Sequence, residues 1–331
     1  MFLVQRAVAA ACALWAGQDP FSLASYAHWD STFYLDIAAH GYVPVFHCPP
    51  ESHFPYEAWC GNAGWFPGYS WAIWLIAKTG LSALAAGFLL SSVAQLAILT
   101  FIWCSTRSWP ALTLAAFFPG SIYLAAIFPI SLFILCTLIC LPASRPWIAA
   151  AAGFAAALCH PLGLLLAPVA ALSRRQVTTA LAVIAGYGLV LVALKLQAGD
   201  WNAYFKVQAK YGYQVSLGIE NFAAHLKPLV NARYRDTRGL VSALQTLFCA
   251  VLVLSLLART HFKPTLLYVA AFWLAPLCLG GRISIYRSEA LLLPAALLVP
   301  ALPRSLQLAL PAAAVALFVA MSVLFFGDIL I

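Results

Sequence analysis

The chain reads as a succession of long apolar runs parted by short polar breaks. The runs fall at 2–17, 66–79, 82–104, 109–127, 128–141, 146–172, 177–197, 239–258, 264–281, 289–302 and 307–327. They do not alternate with period two, and most approach the length of a bilayer core, so they predict membrane-spanning helices rather than strands. In lipid every backbone polar group must be satisfied within the segment, which leaves helices as the solution here. The expectation is an all-α, polytopic transmembrane protein of about eleven spans, forming one integral-membrane domain over 1–331. Two regions break the pattern. FFPG and IFP interrupt 109–141, and His160-Pro161 kinks 146–172. The first run is followed by Gln18-Asp19-Pro20-Phe21, not by a small-residue cleavage site, so it reads as a retained first span.

Two long polar segments stand out, 18–64 and 198–238. Lys and Arg favour cytoplasmic loops. Placing the first loop outside puts Lys78, Arg174, Arg175, Arg259, Lys263 and Arg304 inside, at the expense of Arg107 and Arg145. Both long loops and the turn 282–288 then share the outer side, and the chemistry belongs to the non-cytoplasmic face. The compact size fits a prokaryotic protein, with the expected location a bacterial inner membrane and a site facing the periplasm or exterior.

Composition sharpens this. At 64% hydrophobic and 8% charged residues, the chain is not an ordinary soluble domain. Its net charge of +8 comes from basic residues scattered singly among apolar segments. That pattern points to membrane lipids or an anionic lipid head, not to nucleic acid. Of nine cysteines, seven lie in or beside apolar runs and read as small core hydrophobes. Cys48 and Cys60 sit in the first polar loop and are candidates for a disulfide if that loop meets an oxidising compartment.

The first loop is where the acids concentrate. Residues 18–69 hold five of ten acidic residues and four of seven histidines, with no Lys or Arg. HWDSTFYLDIAAHGY reads as an interfacial helix, with aromatics at 29, 33 and 34 and a stop at Gly41. Asp30 opens this helix. Alone it would be a cap or a solvated charge, but its aromatic surroundings make it the candidate catalytic centre. Asp36 lies about 240° further around the helix, so the two carboxylates are not automatically paired. His28, His40, His47 and His53 with Asp30 are candidate ligands for a divalent metal, although they lack tight ligand spacing; no cofactor is fixed by the sequence. GWFPGY starts the next span, with Pro67 in its first turn.

Positive charge gathers in the second loop. Lys206, Lys210, Lys227, Arg233, Arg235 and Arg238 outnumber Asp200, Glu220 and Asp236. An outer excess of this kind runs against the positive-inside tendency and points to an anionic ligand, with lipid head groups the alternative. Arg282 and Arg287 lie in a short turn just before a span, where charges pair or bind ligand; Glu289 is the alternative structural partner of Arg287. Trp201, Tyr211 and Tyr213 could stack on a sugar or anchor at the interface.

Trp29-Asp30, Ile37-Ala38-Ala39-His40-Gly41-Tyr42 and Trp65-Phe66-Pro67-Gly68-Tyr69, in that order beside an apolar span, resemble the GPI mannosyltransferase II family (PIG-V type) and its prokaryotic relatives, within the GT-C superfamily. Looser likenesses continue in FFPGSIYLAAIFPISLF, HPLGLLLAP, GDWNAYFKVQAKYGY and IYRSEALLLPAAL. Two positions depart from the family pattern: Ile130 stands where Glu is usual, and His160 where Arg is common.

The resemblance implies a GT-C-like fold and a hexosyltransferase, in the first instance a mannosyltransferase. The donor would be a polyprenyl (dolichyl-type) phosphate sugar, and transfer to an acceptor hydroxyl would invert the anomeric carbon. Such a displacement needs a base at the acceptor oxygen, for which Asp30 is the candidate. It also needs positive charge at the leaving phosphate, for which Arg287, Arg282, Lys210 and Lys206 are the candidates. His28, Trp29, Asp36, His40, Tyr69 and Gln208 are the expected acceptor or sugar pocket. A lipid or solute transporter is the rival reading, because Pro-broken helices line transport sites. It would require paired ionisable groups in mid-span, whereas here the polar mass lies in the loops. A catalytically inactive partner subunit is the third, suggested by Ile130.

Overall fold

The computed structural model of the chain describes residues 1–331 apart from 53, 175, 213, 216–218, 232–235, 262, 281–284 and 331. Arg282 of the expected phosphate site, and His53, Tyr213, Arg233 and Arg235, therefore lie outside the described residues.

The first helix, α1 (Phe2–Trp15), leads into the first loop, which carries α2 (Ser31–His40) and a short antiparallel pair, β1 (Phe46–His47) and β2 (Trp59–Cys60). Cys48 and Cys60 are joined by a disulfide across that hairpin. Helix α3 (Pro67–Ala77) follows, with Pro67 at its first turn, where a missing N–H costs nothing. Then come α4 (Ala83–Thr106), capped by Ser82, α5 (Trp109–Ala116), capped by Ser108, and α6 (Ile122–Ala125). Next are α7 (Ile130–Cys140), α8 (Pro146–Cys159), α9 (Leu166–Arg174) and α10 (Val177–Ala198). The second loop carries α11 (Ala203–Ala209), β3 (Gln214–Val215) and α12 (Ile219–Val230). The chain closes with α13 (Thr237–Arg259), capped by Asp236, α14 (Pro264–Leu277), β4 (Leu279–Gly280), α15 (Ile285–Glu289) and α16 (Arg304–Phe326). Strand β3 pairs antiparallel with β4, tying the second loop to the segment before α15.

The fold is an all-α, polytopic membrane architecture. Among the described residues four helices are long and apolar enough to cross a bilayer: α4, α10, α13 and α16. The most apolar stretch of α10 has mean hydropathy 2.2 but only 33% of it is buried, so most of its apolar surface faces outward. An apolar exterior of that kind belongs in lipid. The other seven expected spans are shorter or broken, and each break has a physical cause. The 109–141 region divides into α5, α6 and α7, because Pro119 and Pro129 cannot continue a helix and Gly120 turns with φ 80°. The 146–172 run divides at His160-Pro161 into α8, a 3-10 turn (Pro161–Leu165) and α9. The 289–302 run winds as 3-10 over Ala290–Ala301, because Pro294 and Pro300 interrupt the α ladder.

Packing joins these pieces. Helix α8 lies along α10 and α7, and α5 lies against the 3-10 segment Ala290–Ala301 and α16. Gly68 is where α3 meets α8: a Cβ there would fall 2.7 Å from the Leu158 carbonyl carbon, so only glycine lets the two backbones touch. Tyr69, Tyr123, Tyr268, Phe66, Phe133 and Phe272 are among the largest fully buried side chains and belong to one continuous core.

Candidate active site

Helix α2 begins at Asp30, but the Asp30 side chain makes no capping hydrogen bond. Arg287, from α15, instead donates through Nη1 to Asp30 Oδ2. An acid in a capping position that leaves its own helix to meet a distant guanidinium has been placed for something other than the cap. The residue before it is strained: Trp29 has φ 46°, a left-handed conformation that costs a bulky side chain free energy. The Trp29 ring is held at 5.4 Å from Phe325 and 5.1 Å from His28. His28 is itself anchored, with Nε2 3.0 Å from the Ser25 carbonyl and Nδ1 3.3 Å from Asp328. These contacts fix the turn that presents Asp30.

Asp30 and Arg287 share a cavity of about 380 Å³. Its walls are largely aromatic and apolar, including Tyr34, Trp65, Phe66, Phe128, Tyr187 and Tyr204. Ile130, His160, Gln208 and Ser288 also line it. A cleft with a few polar groups set in aromatic walls suits an amphiphilic ligand. Burial is the chief cause that pushes the Tyr34 hydroxyl well above its usual range, with the Asp30 charge adding to it. Burial opposes the Arg287 charge, but Asp30 first, then Tyr123 and Tyr286, more than offset it and raise the guanidinium above its usual value.

Lys210 approaches from the second loop. Its ammonium lies 4.9 Å from the Phe54 ring centre, 5.3 Å from Tyr211 and 5.8 Å from Trp65, and Nζ is 3.9 Å from Cys60 Sγ. Burial lowers its pKa, and the Asp30 charge works the other way. Trp65 thus links Lys210 to the cavity wall, and stacks at 3.6 Å on Phe33 of α2. Gln208 donates through Nε2 to the Gly64 carbonyl at 2.6 Å, which pins α11 beneath the wall.

Other expected pocket residues are committed elsewhere. Asp36 Oδ1 meets His40 Nδ1 at 2.9 Å, and Asp36 Oδ2 accepts from Asn62 Nδ2 at 2.7 Å. Asn62 also donates to the Gly41 carbonyl and accepts from Val43 N–H. Asp36 and His40 therefore fasten α2 to the loop and do not line the cavity; the rotation between Asp30 and Asp36 carries them to another face. Tyr69 spends its hydroxyl on Gly87 O (3.0 Å) and Ser91 Oγ (2.7 Å), and is a fully buried bond between α3 and α4. Lys206 pairs with Asp200 at 2.6 Å and lies over the Trp59 ring, away from the cavity. Glu289 does not pair with Arg287; it is buried beside Gln245 and Thr246 of α13. His28, His40 and His47 are held at separate places, the last stacked against Trp59 and Tyr56. Among the described residues no group of three or more His, Cys, Asp or Glu side chains converges as a metal site.

Tyr34 and Tyr204 reach the cavity without having been expected there. The available signal was helical spacing, since each lies four residues from an expected site residue, Asp30 and Gln208. Ile130 and His160, noticed only as departures from a family pattern, both stand on the cavity wall.

No family model matches the chain and no curated protein does. Among solved structures it is similar to the crystal structure of ArnT from Cupriavidus metallidurans in the apo state. That likeness has 12% identity and a TM-score of 0.49, over 91% of this chain and 72% of that one. At that level it carries no activity across.

Proposed function

We propose that the chain is a GT-C type membrane glycosyltransferase, a mannosyltransferase in the first instance. It would move a sugar from a polyprenyl phosphate donor to an acceptor hydroxyl on the non-cytoplasmic face, inverting the anomeric carbon. The observation that carries this reading is the Asp30–Arg287 pair within an aromatic-walled cavity. In the reaction, Asp30 takes the proton from the acceptor hydroxyl as its oxygen attacks the anomeric carbon. The bond from that carbon to the phosphate oxygen breaks, and the electron pair leaves on the phosphate. Arg287 stabilises that charge, with Lys210 as a second cation near the cavity. Aromatic faces hold the sugar and the first prenyl units.

The test is transfer of radiolabelled mannose from a polyprenyl phosphate donor in membranes, comparing wild type with Asp30→Asn. Transfer by wild type and its loss in the variant are expected. Full activity of Asp30→Asn would remove Asp30 from the base role. No transfer by wild type from any polyprenyl phosphate sugar, with solute flux in liposomes, would replace the enzyme with a transporter.

A further inference from the structure

His160 carries a feature that the base and cations leave unused. It ends α8 in an extended conformation, φ −151° and ψ 138°, as a residue before proline must. Its Nδ1 accepts the N–H of Leu162 at 3.1 Å, capping the 3-10 turn that begins at Pro161. A ring nitrogen that accepts a hydrogen bond carries no proton, so the proton of the neutral ring sits on Nε2. The ring packs at 5.4 Å against Phe133 and lines the same cavity as Asp30 and Arg287. Among the described residues no protein acceptor meets Nε2. Of the other side-chain N–H groups on the wall, Gln208 gives one to the Gly64 carbonyl and Arg287 gives one to Asp30.

We propose that His160 Nε2–H is a substrate-binding donor, directed at a phosphate oxygen of the lipid-linked sugar. This rests on the glycosyltransferase reading and deepens it. A neutral donor set beside a guanidinium adds a directional contact to the phosphate without adding a second full charge to an apolar wall. The backbone contact to Leu162 fixes which nitrogen faces the cavity, so one side chain both caps the turn and presents the donor.

Two substitutions separate these roles. Asparagine has a short side chain suited to the cap, but it does not extend to the Nε2 position; glutamine places an amide N–H near that position and loses the cap geometry. The purified full-length chain, reconstituted in lipid nanodiscs, is assayed with polyprenyl phosphate mannose, and thermal unfolding is followed in parallel. His160→Asn should raise the donor KM about tenfold with the acceptor KM unchanged, as expected for loss of one hydrogen bond to a charged group. His160→Gln should stay within about threefold of wild type in donor KM, even where its unfolding temperature falls. Wild-type donor KM in His160→Asn overturns the assignment, and so does equal impairment of both variants. No transfer by wild type from any polyprenyl phosphate sugar overturns the glycosyltransferase reading itself, and this role with it.

Discussion

Arg287 donates to Asp30 across 257 residues of chain, joining the start of α2 to α15 on the wall of one cavity. The contact unites an acceptor-only group and a donor-only group, and the proposed reaction asks different things of each. Asp30→Asn preserves shape but removes the negative charge and the ability to accept a proton. Transfer should fall by about two to four orders of magnitude, the usual worth of a positioned base. Donor binding should survive, as measured by retention of labelled polyprenyl phosphate.

Arg287 should show the opposite division. Arg287→Lys keeps the charge but loses the planar fork, and Arg287→Met loses both. The lysine variant should bind donor more weakly by about tenfold, and the methionine variant should bind little, because it also leaves Asp30 without its cation. Donor titration by tryptophan quenching reads both, since Trp65 lines the cavity.

Asn62 should matter more to stability than its place in a loop suggests. It is 2% exposed and serves Asp36, the Gly41 carbonyl and Val43 N–H together. Asn62→Ala should cost about 2–3 kcal/mol, because buried groups lose partners that water does not replace. Thermal unfolding in detergent checks the size. The variant should lose kcat before donor affinity, since the bonds hold the helix that begins at Asp30.

Lys210 gives a pH dependence of definite sign. Burial lowers its pKa below that of an exposed lysine. The charged ammonium therefore costs stability in the fold below the folded pKa, and this cost disappears as pH rises through the unfolded value. Donor affinity moves the other way, and should decline as pH rises through the lowered folded pKa, before an exposed lysine would lose its charge. Lys210→Arg should flatten that alkaline limb in a plot of donor KM against pH.

The disulfide Cys48–Cys60 should hold Lys210 in reach of the cavity, since Nζ rests beside Cys60 Sγ. Cys48→Ser with Cys60→Ser should raise hydrogen exchange over 46–60 and weaken donor binding several-fold. Unchanged exchange in the double variant would show the hairpin to be held by its aromatic contacts instead.

Much of this architecture can be read from residue order. Apolar runs locate α4, α10, α13 and α16 closely, and the prolines mark where 109–141, 146–172 and 289–302 divide. Asp30 stands out because it is an acid among aromatics in an apolar chain. Arg287 stands out as a charge in a short turn before a span, but its pairing with Asp30 does not, because no local pattern links residue 30 to residue 287. The commitments of Tyr69 and Asp36 were hidden for a related reason. Motif spacing identifies a hydroxyl or a carboxylate, while Ser91 and Asn62, which occupy them, arrive from elsewhere in the fold.

The backbone contact at Gly68 has a bearing on ligand choice. With Leu158 pressed against the start of α3, Gly68 puts no side chain between the two helices at that point. Phe66 and His160, each two residues from that contact, both line the cavity. A side chain at Gly68 would push the two backbones apart and shift Phe66 and His160 with them, so the size of guest the cavity admits depends on a residue that does not itself line it.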